Sequence, residues 1–252
     1  MTVNEKWWER PAAFVNDYGW LLLLAIIGLS GFIFRGYWVP SSASFCFNGT
    51  TEIKLNDVIP YSFHNLDIVF AFDQSASMEN MIDGAKQDAS KLMQTLGARI
   101  GTQNFGVAGF SDYIDMPYAL YQPLTGNYAD VQSAIDKLTL YNGGDPPEAY
   151  GRLMYESYSD VHFGWRSNST HYLIIFGDSV PHDPDAGRDG VLGSADDLVL
   201  NKVLAGAAAN HITVIYVSDP GVFYNTSVLN AWEDWTKVTG GRVVPCHTVS
   251  GK

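Results

Sequence analysis

A chain of 252 residues with 46% hydrophobic and 13% aromatic content can bury a sizeable core, as one large domain or two small ones. Its formal net charge of −12 leaves no basic stripe to neutralise phosphates, which argues against nucleic acid as a partner. An acidic balance of this kind suits a protein that binds cations.

The first 40 residues differ from the rest. Residues 1–17 form a juxtamembrane segment that carries Trp7 and Trp8. From Tyr18 to Phe34 there are 17 residues without a charge, including the run Leu21 to Ile27. As a helix these cover about 25 Å, and Arg35 can snorkel while Tyr37, Trp38 and Val39 extend the span. A transmembrane helix is therefore expected over residues 18–39, with Trp7, Trp8, Tyr18 and Trp20 before it and Tyr37 and Trp38 after it as interface belts. A cleaved signal peptide is the rival, but Ser41-Ser42-Ala43 lies far beyond the apolar run and after Arg35. A buried core helix is the plainer alternative.

Basic residues fall on both sides of this segment, so they do not orient it. The two cysteines do better. Cys46 follows the apolar segment and Cys246 lies near the end, so a disulfide between them would bracket one domain. Closing so long a loop contributes about 5 kcal/mol in the chain-entropy model and requires an oxidising compartment. Asn48, Asn168 and Asn225 begin N-glycosylation sequons on the same side. The expected topology is a single-pass membrane protein, N-terminus cytoplasmic, with its soluble domain extracellular or periplasmic. Two free thiols in a cytosolic domain are the alternative.

Residues 40–63 read as a connector, with one strand candidate at Thr51–Leu55. Beyond it, apolar strand-like runs at Leu66–Phe72, Phe105–Phe110, Tyr172–Phe176, Ile212–Val217 and Arg242–Val244 alternate with helical stretches. Met81, Ala85, Ala89, Leu92 and Leu96 recur at helical spacing. Tyr128–Leu140, Pro147–Val161, Asp196–Ala209 and Val228–Thr239 also read as helices, the third with Ser194 and Asp197 as a capping box. Tyr118–Gln122, after Pro117, reads as a short edge strand. Such alternation predicts an α/β, doubly wound, mostly parallel sheet with helices on both faces, occupying residues 64–252. Ligands of these sheets bind outside the carboxyl ends of the strands where strand order reverses. With the common order 3-2-1-4-5-6, the strands ending at Asp73 and Asp178 are neighbours there.

Asp73, Ser75 and Ser77 offer a carboxylate and two hydroxyls at alternate positions where the first strand runs out. Asp178 ends a later strand. Between them, the turn Asn142-Gly143-Gly144-Asp145-Pro146-Pro147-Glu148 adds two carboxylates, with Pro147 suited to a first helical turn. Hard divalent cations take oxygen donors of this kind, and Mg²⁺ keeps places for water or a ligand.

With these residues in view, 64–250 resembles a von Willebrand factor A (VWA) domain with a metal-ion-dependent adhesion site. The middle loop lacks the Thr of many such domains and instead resembles the Asp-x-Pro-Glu of the integrin β-subunit domain. The resemblance implies Ser75, Ser77 and Glu148 as direct ligands of Mg²⁺ (or Mn²⁺ or Ca²⁺), with Asp73 and Asp178 acting largely through water. It also implies an open position for an acidic group from a protein partner. A second cation between Asp115 and Asp145 is implied by the same loop, although Gly143 stands where the family pattern has an Asn ligand.

Residues 182–197 form a separate acidic insertion. Taking Asp185 as position 1 of an EF-hand-like loop puts Asp189 at 5, Gly190 at 6, Val191 at 7 and Asp196 at 12, with Asp183 and Asp197 as further carboxylates. Ca²⁺ there would stiffen the insertion; a solvated acidic loop is the plainer reading. The histidines lack zinc or triad spacing, and neither a nucleophile elbow nor a phosphate loop occurs. The chain is thus expected to be a membrane-anchored interaction or adhesion module rather than an enzyme. The alternative is a structural subunit of a larger membrane complex or surface filament, with the domain as a metal-stiffened cap. A third reading, the partner of a chaperone-like ATPase, requires a cytoplasmic domain.

Overall fold

The computed structural model describes Ile59 and residues 65–97, 101–144, 146–218 and 226–245. All lie in one compact unit, Ser41–Lys252. The expectations for residues 1–17 and 18–39, for the connector other than Ile59, and for Cys46, Cys246, Asn48, Asn225 and Asp145 fall outside the described residues. Among the described residues no helix is long and apolar enough to cross a membrane.

Six strands alternate with five helices: β1 (Asn65–Asp73), α1 (Ile82–Gly97), β2 (Gln103–Phe110), β3 (Ala119–Thr125), α2 (Tyr128–Asp136), α3 (Tyr150–Ser159), β4 (Ser169–Phe176), α4 (Leu200–Ala209), β5 (Ile212–Ser218), α5 (Thr226–Val238) and β6 (Arg242–Pro245). The strand order is β3-β2-β1-β4-β5-β6, as the apolar runs predict. Every pairing is parallel except β2 with β3, which is antiparallel and leaves β3 at the edge. Pro123 sits in that edge strand, where a missing backbone donor does least harm.

Strand alternation sends side chains to two cores. Ile68, Phe70 and Phe72 of β1 pack with Phe105, Ile174 and Phe176 under α1 and α2. Phe72 stacks on Phe176 with ring centroids 5.1 Å apart. Val69 and Ala71 face the opposite core with Ala108, Leu173, Ile175 and Tyr216, covered by α3, α4 and Trp232 of α5. Burial on both faces explains why these strands read as continuous apolar runs rather than alternating ones.

Helix boundaries required correction. α2 ends at Asp136 rather than Leu140, and α3 starts at Tyr150 rather than Pro147. α4 starts at Leu200, not Asp196, so the capping box of Ser194 and Asp197 does not cap it. Asp197 Oδ1 instead accepts from Ser194 N at 3.2 Å inside a local turn. The amide of Leu200 is met by Asp183 Oδ1 at 3.0 Å, a cap from 17 residues away.

Candidate metal centre

β1 and β4 lie side by side, with Phe72 opposite Phe176, so the loops that follow them leave the sheet together. Asp73 is fully buried at the end of β1. Its Oδ1 accepts from Ser75 N at 2.9 Å, and its Oδ2 accepts from the Tyr150 hydroxyl at 2.5 Å. Tyr150 in turn accepts from Ser179 N at 3.1 Å. The carboxylate is thereby fixed on both oxygens before any ligand is considered. Ser75 has extended backbone and leads into a 3-10 turn, Ala76–Asn80.

Ser75 Oγ and Ser77 Oγ are 2.9 Å apart, and Ser77 Oγ donates to Asp178 Oδ1 at 3.1 Å. Asp178 Oδ2 is buried and has no hydrogen-bond partner among the described residues. Burial, then the neighbouring Asp73 carboxylate, pushes Asp178 up to about 7. Burial raises Asp73 as well, against the hydrogen bonds of Ser75 and Tyr150. Among the described residues no Lys, Arg or His forms an ion pair with Asp73 or Asp178. Among the described residues, two acids and two hydroxyls therefore stand together without a counter-charge.

The middle loop closes over this chain of oxygens. Glu148 is only 3% exposed, and its backbone N donates to Val180 O at 2.9 Å. A β-carbon at Gly143 would stand 2.8 Å from Ser75 Cβ and 3.2 Å from Glu148 Oε1. With φ of +73° and that contact, position 143 admits only glycine, and Gly143 has both Ser75 and the Glu148 carboxylate as neighbours. Asp115 Oδ2 accepts from Gly143 N at 2.7 Å, so it braces this loop. Asp145, the other half of the expected second cation pair, is outside the described residues.

Gln74 escaped the sequence reading. It is buried, and its side chain donates to Thr139 O and accepts from the Tyr121 hydroxyl at 3.0 Å. Its backbone O accepts from Tyr141 N at 2.7 Å, which ties the loop after β1 to the approach of the middle loop. Tyr150 was also missed, because a tyrosine inside a helix reads as core.

The donor set fits a hard cation. Hydroxyls and carboxylates are the oxygen ligands Mg²⁺ prefers, and a buried carboxylate oxygen without a partner is costly unless something charged meets it. Among the described residues no three His, Cys, Asp or Glu side chains form a ready cluster by themselves.

In the acidic insertion the carboxylates accept hydrogen bonds from the chain's own donors. Asp189 Oδ1 accepts from Val191 N at 2.8 Å, and Asp196 Oδ2 from Arg188 N at 2.7 Å. Asp197 Oδ2 accepts from Gly193 N at 2.7 Å, while Asp183 caps α4. Asp185 is fully buried, accepting from the Tyr113 hydroxyl and from Gly187 N at 3.1 Å. Asx-type turns hold this loop.

Asn168, the one sequon among the described residues, is exposed. A model of the von Willebrand factor type A domain family matches residues 67–220. Among solved structures, the chain is similar to the conserved hypothetical protein BatB from Bacteroides thetaiotaomicron. That likeness has a TM-score of 0.50 at 14% identity, covering 71% of this chain and 89% of the other. The SpRpn10 VWA domain is similar with a TM-score of 0.49 at 13% identity, covering 72% and 89%. At such identities the likeness is one of fold. Comparison with curated protein sequences gives no match.

Proposed function

The chain belongs to the von Willebrand factor type A domain family, and from that premise we propose that its crevice holds a divalent cation through which it binds a protein partner. VWA domains generally mediate protein–protein interaction. The observation that carries the cation reading is Asp178 Oδ2, buried without a partner beside a second buried carboxylate.

Ser75, Ser77 and Glu148 would hold the ion directly, with Asp145 nearby in the sequence of the middle loop. Asp178 orients the Ser77 hydroxyl, and Asp73 fixes the backbone turn that aims Ser75. Tyr150 keeps Asp73 in place from behind. When bound, Mg²⁺ (or Mn²⁺ or Ca²⁺) supplies a coordination position that an acidic side chain of a partner can fill.

On the membrane side the proposal is an anchor at 18–39, a cytoplasmic N-terminus, and an outward domain closed by Cys46–Cys246. Support comes from the uncharged run, the paired cysteine placement and the sequons. Protease protection of the domain in sealed vesicles tests this topology; cleavage from the cytoplasmic side refutes it.

Titration of the full-length chain with Mg²⁺, read by calorimetry and by thermal unfolding, tests the site. Wild type should bind and melt higher, whereas Ser75→Ala and Asp178→Ala should lose both responses. Equal responses in wild type and Asp178→Ala would refute the cation reading.

A further inference from the structure

Exposed apolar side chains that the cation reading does not use stand on loops of the same sheet edge. Among the described residues the large hydrophobic side chains left exposed are few, and three of them stand on two loops of this edge. Ile114 is 70% exposed, Val191 59% and Leu192 64%. Ile114 belongs to the β2–β3 loop, and a β-carbon at Gly144 would lie 3.6 Å from its Cγ2. Gly144 directly follows Gly143, the residue packed on Ser75 and Glu148. Val191 and Leu192 follow Gly190, whose β-carbon would lie 3.4 Å from the Tyr113 ring.

These side chains are presented on a fixed base. The Tyr113 hydroxyl donates to Gly187 O at 2.8 Å as well as to buried Asp185, joining the β2–β3 loop to the insertion. Arg152 of α3 donates through Nη1 to Gly187 O at 2.6 Å and through its backbone N to Asp185 Oδ2 at 3.2 Å. Arg188 meets buried Glu156 of α3 at 2.6 and 2.7 Å, and His182 meets Asp112 at 2.8 Å. An apolar side chain on a loop this well fastened cannot fold back under the surface, so its exposure is maintained by construction. Apolar groups kept exposed beside a polar site mark contact surfaces, where bulky anchors supply much of the affinity.

We infer that Ile114, Val191 and Leu192 form the apolar half of the partner surface, selecting a protein segment with a bulky apolar side chain beside its acidic one. The inference rests on the cation reading above. Charge decides the class of occupant. Asp115 adjoins Ile114, Asp112 lies two residues before it and Asp189 two before Val191, so a polyanion or an anionic membrane surface would be repelled. A segment with a single acid, met by the cation, and otherwise apolar fits both halves.

A phage library of short random peptides, selected on the full-length chain in mild detergent with Mg²⁺ or with EDTA, tests this. The expected yield is Mg²⁺-dependent peptides in which an Asp or Glu adjoins a bulky apolar residue. Synthetic copies should bind Ile114→Ser and Leu192→Ser about tenfold more weakly, with the Mg²⁺-induced rise in melting temperature unchanged. Peptides selected for the acid alone, binding the variants as they bind wild type, would overturn the apolar half and leave the cation reading standing. Equal selection in EDTA and on Asp178→Ala would overturn the cation reading and this inference with it. A concentration-dependent dimer of wild type, lost in the two serine variants while peptide binding persists, would make the surface a self-interface and also overturn the assignment.

Discussion

The two ends of β1 carry the same residue type in opposite electrostatic settings. Asp67, near the amino edge, and Asp73, at the carboxyl edge, are both fully buried. Asp67 is met by Arg166, whose Nε donates to Oδ1 and whose backbone N donates to Oδ2, each at 2.7 Å, and by Ser169 Oγ at 2.6 Å. The same guanidinium donates to Leu66 O at 2.9 Å and to Thr102 O at 3.1 Å, fastening the starts of neighbouring strands. Asp73 has hydroxyl and amide donors only, and its nearest charged neighbour of note is a second acid, Asp178. A buried carboxylate with its own counter-ion is part of the scaffold. An uncompensated pair at a loop-lined edge is instead where the proposed cation would supply the missing charge.

The sharpest way to break this comparison is to delete the counter-ion. Arg166→Ala leaves Asp67 buried without its partner and should cost about 3–5 kcal/mol in urea unfolding, whatever the Mg²⁺ concentration. A loss below about 1 kcal/mol would mean the amino edge is not held by this pair. At the other end the sign reverses. Asp178, at about 7 in the folded protein, stands above its ordinary 3.8. Its contribution to stability is therefore fully present below pH 3.8 and is lost as pH rises through about 7. Without metal, Asp178→Asn should flatten that fall and be more stable than wild type at neutral pH, on the order of 2 kcal/mol after allowance for solvent. Saturating Mg²⁺ should restore wild type and leave the variant unmoved, which melting curves at several pH values will show.

Tyr150→Phe probes the support behind the centre. It removes the hydroxyl that donates to Asp73 Oδ2 and accepts from Ser179 N, leaving both buried groups short of a partner. The expected loss is about 1–3 kcal/mol, with Mg²⁺ affinity lowered rather than abolished. Calorimetric titration separates that outcome from a purely structural one, in which affinity stays at the wild-type value.

Much of this architecture was legible because it depends on near-neighbour patterns. Leu66–Phe72 and Tyr172–Phe176 read as buried parallel strands, and parallel neighbours necessarily bring Asp73 and Asp178 to one edge. What was not legible depends on who donates to whom across the fold. Five carboxylates within residues 183–197 suggest an EF-hand spacing, and spacing alone does not show that amides of Gly193, Arg188 and Leu200 meet Asp197, Asp196 and Asp183. The start of α4 was misplaced for the same reason, since its cap is Asp183 rather than a residue of the preceding turn. Tyr150 has the burial of any core aromatic, and only its hydroxyl partner betrays its second task.

Asp88 offers the smallest and most discriminating test, because it shares the chemistry of Asp178 without its place. It lies on the buried face of α1, 1% exposed, and its Oδ2 has no hydrogen-bond partner among the described residues. Burial, opposed by the charge of Lys91, raises it to about 7. Yet it sits amid Ala85, Ala89 and Leu92 on a helix rather than where loops converge, and its Oδ2 meets no hydroxyl among the described residues. Asp88→Ala should raise stability at pH 8 by about 1 kcal/mol, by removing a desolvated charge and installing a better helix former. The gain should shrink near pH 4, where the wild-type acid is protonated and only the helix-former part remains, and Mg²⁺ binding should not change. If Asp88→Ala also altered the Mg²⁺ response, an unpaired buried acid would no longer distinguish the crevice from the rest of the fold. The cation would then have to be assigned on the serine hydroxyls alone.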